Sequence, residues 1–307
     1  MPETQPDDVE TGPYSRPQGG SETAAQETAT QETATGQLSP RRVRTVHLQR
    51  FKDSGHRFSM LTSYDAMTAE VFDQAGVEVL LVGDSAANVM QGSSSTLSIT
   101  VDELLVYARS VVNGAGRALV VADLPFGSYE ASPQHAVAAG VRFMKEAGVH
   151  ALKMEGDASM APHVRAMVSA GIPVMAHVGF TPQAEHSLGG YRVQGRGEAR
   201  SRLFEDALAL QDAGAFCLLV EMVPAPVMSE LDEAVRVPTI GIGAGGGATG
   251  QVLVWQDMLG LSSGRLPRFV KRYADLRGMM TDAVGRFRED VASGAFPAEE
   301  HMFEQTD

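Results

Sequence analysis

The sequence predicts a (β/α)₈ barrel, and three observations carry that prediction. From Phe58 onward, eight short aliphatic runs alternate with longer amphipathic stretches. The runs are continuously apolar instead of alternating with period two, which is how parallel strands buried on both faces read. Several amphipathic stretches stop at a glycine, where a helix needs a left-handed residue after its last turn. Eight strand–helix units over ~200 residues suit a closed barrel better than an open, doubly wound sheet.

Residues 1–40 stand apart from this pattern. They are rich in Thr, Gln, Glu, Gly and Pro, carry the tandem repeat Gln26–Thr30/Gln31–Thr35, and nearly lack large apolar side chains. Such a segment cannot bury enough surface to offset its ordering entropy, so a disordered N-terminal tail is expected. Residues 41–307 are expected to form the barrel domain, including C-terminal helices. The basic segment Arg41–Lys52 opens it as a short helix. Strands are expected at Phe58–Thr62, Val79–Val82, Ala118–Ala122, His150–Met154, Pro173–His177, Phe216–Val220, Pro238–Ile242 and Val252–Trp255. Helices are expected at Asp65–Ala75, Val101–Asn113, Pro133–Ala147, Ala158–Ala170 and Glu198–Ala213. Gly76, Gly148, Gly171 and Gly214 take the position just past a helix end. Phe269–Val291 reads as one or two helices appended after the barrel.

Composition narrows the function. A formal net charge of −13 over 307 residues argues against a nucleic-acid or anionic-membrane partner. An anionic small-molecule substrate remains open, because a bound metal reverses the local field. The lone cysteine, Cys217, lies in the apolar run Ala215–Val220 and reads as a core residue; it leaves no route to an internal disulfide or a thiolate metal site. No apolar stretch approaches the ~18 residues of a membrane span. The N-terminus has neither the basic nor the hydrophobic region of a secretory signal, so a cytoplasmic protein is expected.

The residues at the strand ends point to chemistry. Val79–Val82 leads into Gly83, Asp84 and Ser85, and Ala118–Ala122 runs into Asp123. His150–Met154 carries Lys153 and ends at Glu155, the fifth strand ends on His177, and Glu221 comes directly after the sixth. A carboxylate after a strand can be a simple helix cap. In a barrel, however, all C-terminal strand ends meet at one face, where active sites lie. Three carboxylates in a dry pocket, Asp84, Asp123 and Glu155, cannot all stay ionised without a cation. Oxygen ligands without cysteine select magnesium or a similar ion over zinc. Lys153, inside a buried strand, must pair with a carboxylate of the protein or of a substrate. Magnesium with open positions chelates a 2-oxo acid, acidifies the C–H next to the keto group and stabilises the enolate. Glu221, outside the trio, is the candidate base. The glycine-rich loop Gly241–Gly250 lacks the clean spacing of a dinucleotide fingerprint. It reads either as a tight structural turn or as a ligand contact through backbone N–H groups.

The motifs then converge on one family. Val82-Gly83-Asp84-Ser85, Ala122-Asp123-Leu124-Pro125-Phe126, Lys153-Met154-Glu155-Gly156 and Ala176-His177-Val178-Gly179 resemble those of ketopantoate hydroxymethyltransferase. So do Thr181-Pro182-Gln183, Gly189-Gly190-Tyr191, Gln194-Gly195-Arg196-Gly197, Glu221-Met222-Val223-Pro224 and Gly241-Ile242-Gly243-Ala244-Gly245, in this order from about Thr45 to Phe303. The resemblance implies transfer of a hydroxymethyl group from 5,10-methylenetetrahydrofolate to 3-methyl-2-oxobutanoate, the first step toward pantothenate, with magnesium as cofactor. It implies Asp84, Asp123 and Glu155 as metal-site residues. By the same resemblance Asp84, Ser85, Asp123 and Lys153 contact the 2-oxo acid, Glu221 accepts the proton and His177 lines the pocket. It also implies a homodecamer of two stacked pentameric rings.

Three positions depart from the family pattern: Asp157 after Gly156, Ala184-Glu185-His186 after Thr181-Pro182-Gln183, and Thr249 before Gly250-Gln251. They bear on the folate side and on loop geometry. The competing enzyme class is a magnesium-dependent 2-oxo-acid carbon–carbon lyase of the isocitrate lyase and phosphoenolpyruvate mutase kind. Those lyases use a loop cysteine, whereas Cys217 is expected inside a strand. The competing non-enzymatic reading is a silent paralogue acting as a scaffold through its tail.

Overall fold

The computed structural model describes residues 30–32 and 38–303. Eight parallel strands close into a barrel: β1 (Phe58–Thr62), β2 (Val79–Val82), β3 (Leu119–Asp123), β4 (Ala151–Glu155), β5 (Val174–Gly179), β6 (Cys217–Glu221), β7 (Thr239–Ile242) and β8 (Gly250–Leu253). Each pairs with the next, and β8 returns to β1 with Val252 opposite Met60.

The strands read as continuous apolar runs because both of their faces are covered. Val79, Leu81, Leu119, Val121, Met175, Cys217, Leu219 and Ile240 fill the barrel interior. The alternate residues Leu80, Val82, Val120, Leu152, Val174, Leu218 and Val220 face the surrounding helices. Each fully buried aliphatic side chain contributes ~1.5–3 kcal/mol, so the barrel wall is held from two sides. The expected N-terminal helix forms at Thr45–Asp53, and its Leu48 and Phe51 join the interior cluster beside Phe58. It therefore closes the N-terminal mouth of the barrel, leaving the opposite mouth for chemistry.

The helices end where their glycines predict: Gly76, Gly148, Gly171 and Gly214 all have positive φ. Thr100 and Glu103 form a capping box on Val101–Gly114, and Asp65 caps Ala66–Gln74 through the Thr68 N–H. Two expected helices are less regular than their pattern. Pro133–Arg142 passes into a π-helical turn, Phe143–Ala147, and Ala161–Ser169 is preceded by a 3₁₀ turn at Ala158–Met160.

Two expectations need correction. The last strand is Gly250–Leu253 and not Val252–Trp255: Trp255 opens a short helix, its N–H donating to Thr62 Oγ1 at 3.1 Å. Its apolar run is shared between a strand end and a helix start. The appended helix covers only Leu276–Ser293, because Phe269 is drawn instead to the barrel mouth, where its ring packs on Gly243. Within the segment expected to be disordered, Thr30–Glu32 pairs antiparallel with Leu38–Pro40; the remainder of residues 1–40 lies outside the described residues. Among the described residues no helix is long and apolar enough to cross a membrane.

Candidate active site

Register, more than sequence distance, assembles the site. In the parallel ladder Asp123 lies opposite Lys153, Glu155 opposite His177, and Gly179 opposite Glu221. The acids expected just after their strands are the last residues of β3, β4 and β6, so the ladder itself holds them at the C-terminal mouth. Asp84 and Ser85 arrive from the turn after β2. A side chain at Gly83 would meet Ser85 Oγ at 2.7 Å and Asp123 Oδ2 at 3.6 Å, so glycine there lets the turn close over the pocket. All seven residues expected at the strand ends line one chamber of about 290 Å³.

Within the chamber a continuous polar network runs through buried groups. Lys153 Nζ lies 2.8 Å from Asp123 Oδ1, 3.5 Å from Glu155 Oε1 and 3.4 Å from His177 Nδ1. His177 Nδ1 is 3.1 Å from Glu155 Oε1, and its Nε2 is 3.4 Å from Glu221 Oε2. The Asp84 N–H donates to Asp123 Oδ2 at 2.9 Å. Ser85 Oγ shares a 2.8 Å hydrogen bond with the Tyr64 hydroxyl.

The charges are unbalanced. Four carboxylates (Asp84, Asp123, Glu155 and Glu221) face two cationic side chains, Lys153 and His177. Burial, reinforced by the charges of Asp123 and Glu155, pushes the Asp84 carboxyl well above the usual range. Burial works against ionised Glu155 too, but the charges of His177 and Lys153 outweigh it and hold its carboxyl below the ordinary value. Burial alone would lower His177; the Glu155 carboxylate raises it to about 9. The Lys153 ammonium, likewise penalised by burial, is held firmly protonated by Asp123, Glu155 and Asp84.

These groups have the right chemistry for a hard divalent cation. All three expected ligands offer oxygen, and Asp123 Oδ1 is buried without a hydrogen-bond partner despite its ion contact with Lys153. An excess of carboxylate over ammonium and imidazolium is what such an ion relieves. Among the described residues, though, no group of three His, Cys, Asp or Glu side chains stands close enough together to grip a metal as placed. Lys153 links Asp123 to Glu155, and Gln183 links Asp84 to Glu155.

Gln183, which enters the sequence reading only within the Thr181-Pro182-Gln183 motif, and Tyr129 are the site residues that sequence reasoning leaves without a role. Gln183 Nε2 donates to Asp84 Oδ2 and to Leu124 O, both at 2.9 Å, and its backbone N–H donates to Glu155 Oε2 at 3.0 Å. The Tyr129 hydroxyl donates to Gln183 Oε1 at 2.6 Å, which fixes the orientation of the amide. Both lie in loops beyond strand ends, Gln183 after β5 and Tyr129 after β3, and that placement is the signal the sequence offers. Met222, directly after Glu221, is the one non-glycine residue with clearly positive φ (49°) among the described residues. Strain of this kind persists where surrounding structure over-determines it, and it commonly marks functional sites.

Cys217 is fully buried at the start of β6, and burial pushes its thiol far up, so it is a core residue as expected.

Comparison with known proteins agrees with this geometry. Residues 42–299 match the ketopantoate hydroxymethyltransferase family. A 3-methyl-2-oxobutanoate hydroxymethyltransferase of Paenarthrobacter aurescens (strain TC1) is 64% identical over 262 residues, covering 85% of this chain and 87% of that protein. One from Mycobacterium ulcerans (strain Agy99) is 58% identical, covering 85% and 88%. Among solved structures, a phosphonopyruvate hydrolase in complex with oxalate and Mg++ superposes with a TM-score of 0.52 at 13% identity, covering 84% of this chain and 93% of that one. That last likeness is one of fold. With strand-end carboxylates, lysine and histidine gathered in one chamber, and relatives this similar along most of the chain, the protein belongs to the ketopantoate hydroxymethyltransferase family.

Proposed function

We propose that the protein transfers a hydroxymethyl group from 5,10-methylenetetrahydrofolate to 3-methyl-2-oxobutanoate. The product is 2-dehydropantoate, on the route to pantothenate and coenzyme A, and the setting is cytoplasmic. The observation that carries the reading is the placement of Glu221 at the edge of a small chamber whose floor holds Asp84, Asp123 and Glu155 around Lys153.

Asp84, Asp123 and Glu155 would hold magnesium. When bound, that ion supplies Lewis-acid polarisation of the substrate's keto group. The side chains of this chain do the rest. Lys153, protonated, presents its charge to the substrate carboxylate, and Ser85 orients it with a hydroxyl already fixed by Tyr64. Glu221 removes the hydrogen next to the keto group. His177, held by Glu155, keeps the Glu221 carboxylate aimed at that hydrogen. The carbon so activated attacks the one-carbon unit, which leaves tetrahydrofolate and reaches the product as CH₂OH with one water consumed. The apolar walls, including Leu81, Val252 and Leu219, limit water at the reacting carbon.

A lyase of the cysteine-dependent kind has no support in the chamber, since the chain's one cysteine is buried in the barrel interior. Assembly into a homo-oligomer, a decamer by family resemblance, is supported by the exposed apolar stripe Met280, Val284, Phe287 and Val291 on the C-terminal helix.

The test follows exchange of the single hydrogen next to the keto group of 3-methyl-2-oxobutanoate in heavy water by NMR. Magnesium-dependent exchange, with 2-dehydropantoate appearing once methylenetetrahydrofolate is added, is the expected result. Exchange without product would remove the folate donor from this reading, and absence of both would remove the enzyme.

A further inference from the structure

Thr96 lines the small chamber from the segment that follows β2 and is 7% exposed, yet its Oγ1 has no hydrogen-bond partner among the described residues. Two other polar atoms of the chamber share that state, Asp123 Oδ1 and His177 Nε2. Each of those has a charged neighbour, Lys153 and Glu221 respectively. A hydroxyl has no such ionic compensation. Burying it unpaired costs free energy, and valine would fill the same space without that penalty.

Its backbone is held from several sides. Thr96 opens the 3₁₀ turn Thr96–Ser98, which Ser95 caps by accepting the Leu97 N–H at 3.3 Å. The turn packs on Ala86–Val89, directly after Ser85, and on Pro182–Ala184, whose Gln183 donates to Asp84. Thr96 therefore belongs to the Asp84–Ser85 side of the chamber. One step about Cα–Cβ exchanges its hydroxyl with its methyl, so the hydroxyl can turn into the chamber without any backbone movement.

The balance of donors and acceptors says what it would meet there. Carboxylates dominate the floor, and a 2-oxo acid brings one more. The other buried or half-buried donors already have partners: Lys153 has Asp123, His177 has Glu155, Ser85 has Tyr64, and Thr62 receives the Trp255 N–H. Thr96 is the buried donor whose proton has no acceptor among the described residues.

We propose that Thr96 is a further substrate-binding residue, its hydroxyl donating to a carboxylate oxygen of the bound 2-oxo acid beside Lys153 and Ser85. The inference rests on the substrate assignment made above. Because the acceptor is charged the bond is of the stronger kind, and its loss weakens 2-oxo-acid binding about tenfold.

The experiment titrates 3-methyl-2-oxobutanoate into magnesium-loaded, full-length protein by calorimetry, for wild type, Thr96→Val and Thr96→Ser. Manganese affinity by paramagnetic resonance and melting temperature are measured on the same three proteins without 2-oxo acid. We expect Thr96→Val to bind the 2-oxo acid about tenfold more weakly and Thr96→Ser to stay close to wild type. Manganese affinity should be equal in all three, and Thr96→Val should melt no lower than wild type, because it removes an unpaired hydroxyl at nearly constant shape. Wild-type affinity for the 2-oxo acid in Thr96→Val overturns the assignment. So does a weakening that Thr96→Ser shares or that takes manganese affinity down with it, since either reports a change of shape and not a lost hydrogen bond. A Thr96→Val protein that melts far below wild type overturns it too, because the hydroxyl would then have a partner in the free protein. Wild-type protein that binds no 2-oxo acid overturns the substrate assignment, and this one with it.

Discussion

His177 Nε2 lies 3.4 Å from Glu221 Oε2. Because Nδ1 of the same ring is 3.1 Å from Glu155 Oε1, one imidazole joins the proposed base to the proposed metal-holding carboxylate. Nε2 is buried without a hydrogen-bond partner among the described residues, so its link to Glu221 is one of charge, which an imidazolium supplies and a neutral ring does not. The contact therefore couples the direction of Glu221 to the charge state of the pocket floor.

From this coupling, His177→Asn should slow hydrogen exchange of 3-methyl-2-oxobutanoate by about 10–100-fold, the usual cost of removing a partner that orients a site group. The loss should fall on the maximal rate more than on the Michaelis constant, since the substrate's contacts with Lys153 and Ser85 stay in place. Unchanged exchange in a folded variant would remove His177 from the positioning of Glu221.

Gln183 spans the pocket floor, with Asp84 on its side chain and Glu155 on its backbone N–H. Gln183→Leu keeps the backbone bond and loses the side-chain one, leaving the Asp84 carboxyl without its amide donor, while the Tyr129 hydroxyl retains Glu155 O at 3.1 Å. We expect magnesium affinity to fall about 10–100-fold, read directly by manganese paramagnetic resonance as well as by activity. Tyr129→Phe removes the donor to the amide oxygen while Nε2 keeps Asp84 and Leu124 O, and should cost roughly 1 kcal/mol of the same binding. Wild-type metal affinity in both variants would show that the carboxylates place themselves.

Two glycines with similar backbone and different surroundings separate strain from function. Gly76 (φ +91°) has open space around a notional Cβ, whereas at Gly179 (φ +92°) a Cβ would collide with the carbonyl oxygen of Glu221. Either alanine substitution costs about 1–3 kcal/mol of backbone strain. Only Gly179→Ala should also push Glu221 and abolish exchange. Thermal melts and exchange rates on the two variants decide it; a fully active Gly179→Ala protein would mean that Glu221 is not held from behind by β5.

The barrel and most of the charged site are legible in the sequence for the same reason: parallel strands are long apolar runs, and a charged residue at their end is conspicuous. β1 and β2 occur at the residues expected, and Asp84, Asp123, Lys153, Glu155, His177 and Glu221 do share a chamber. Neutral partners that act through space are hidden from such a pattern. Gln183 reaches Asp84 across 99 positions and Tyr129 reaches Gln183 across 54, and neither an amide nor a phenol stands out in a loop. The end of β8 departs from expectation because Val252, Leu253, Val254 and Trp255 form one apolar run. Gly250, which has no apolar side chain to mark it, is in the strand because its bare Cα packs on the Phe58 ring.

The opposite mouth of the barrel offers a test by acid. His150 precedes β4, and its Nδ1 accepts the Val120 N–H at 2.9 Å. Burial, together with the nearby guanidinium groups of Arg42 and Arg44, lowers this imidazole from 6.5 to about 4. Between those two values the unfolded chain takes up a proton at His150 that the folded chain refuses, so stability falls as pH drops through the window. Above pH 6.5 both states hold the ring neutral, and the contribution is complete. His150→Asn retains a short acceptor for Val120 but nothing that titrates there. The melting temperature of the variant should therefore decline less steeply than that of wild type between pH 6.5 and 4. Parallel curves for the two proteins would place the acid sensitivity in other groups, among them His47, His163 and the carboxylates, and leave His150 a passive spacer.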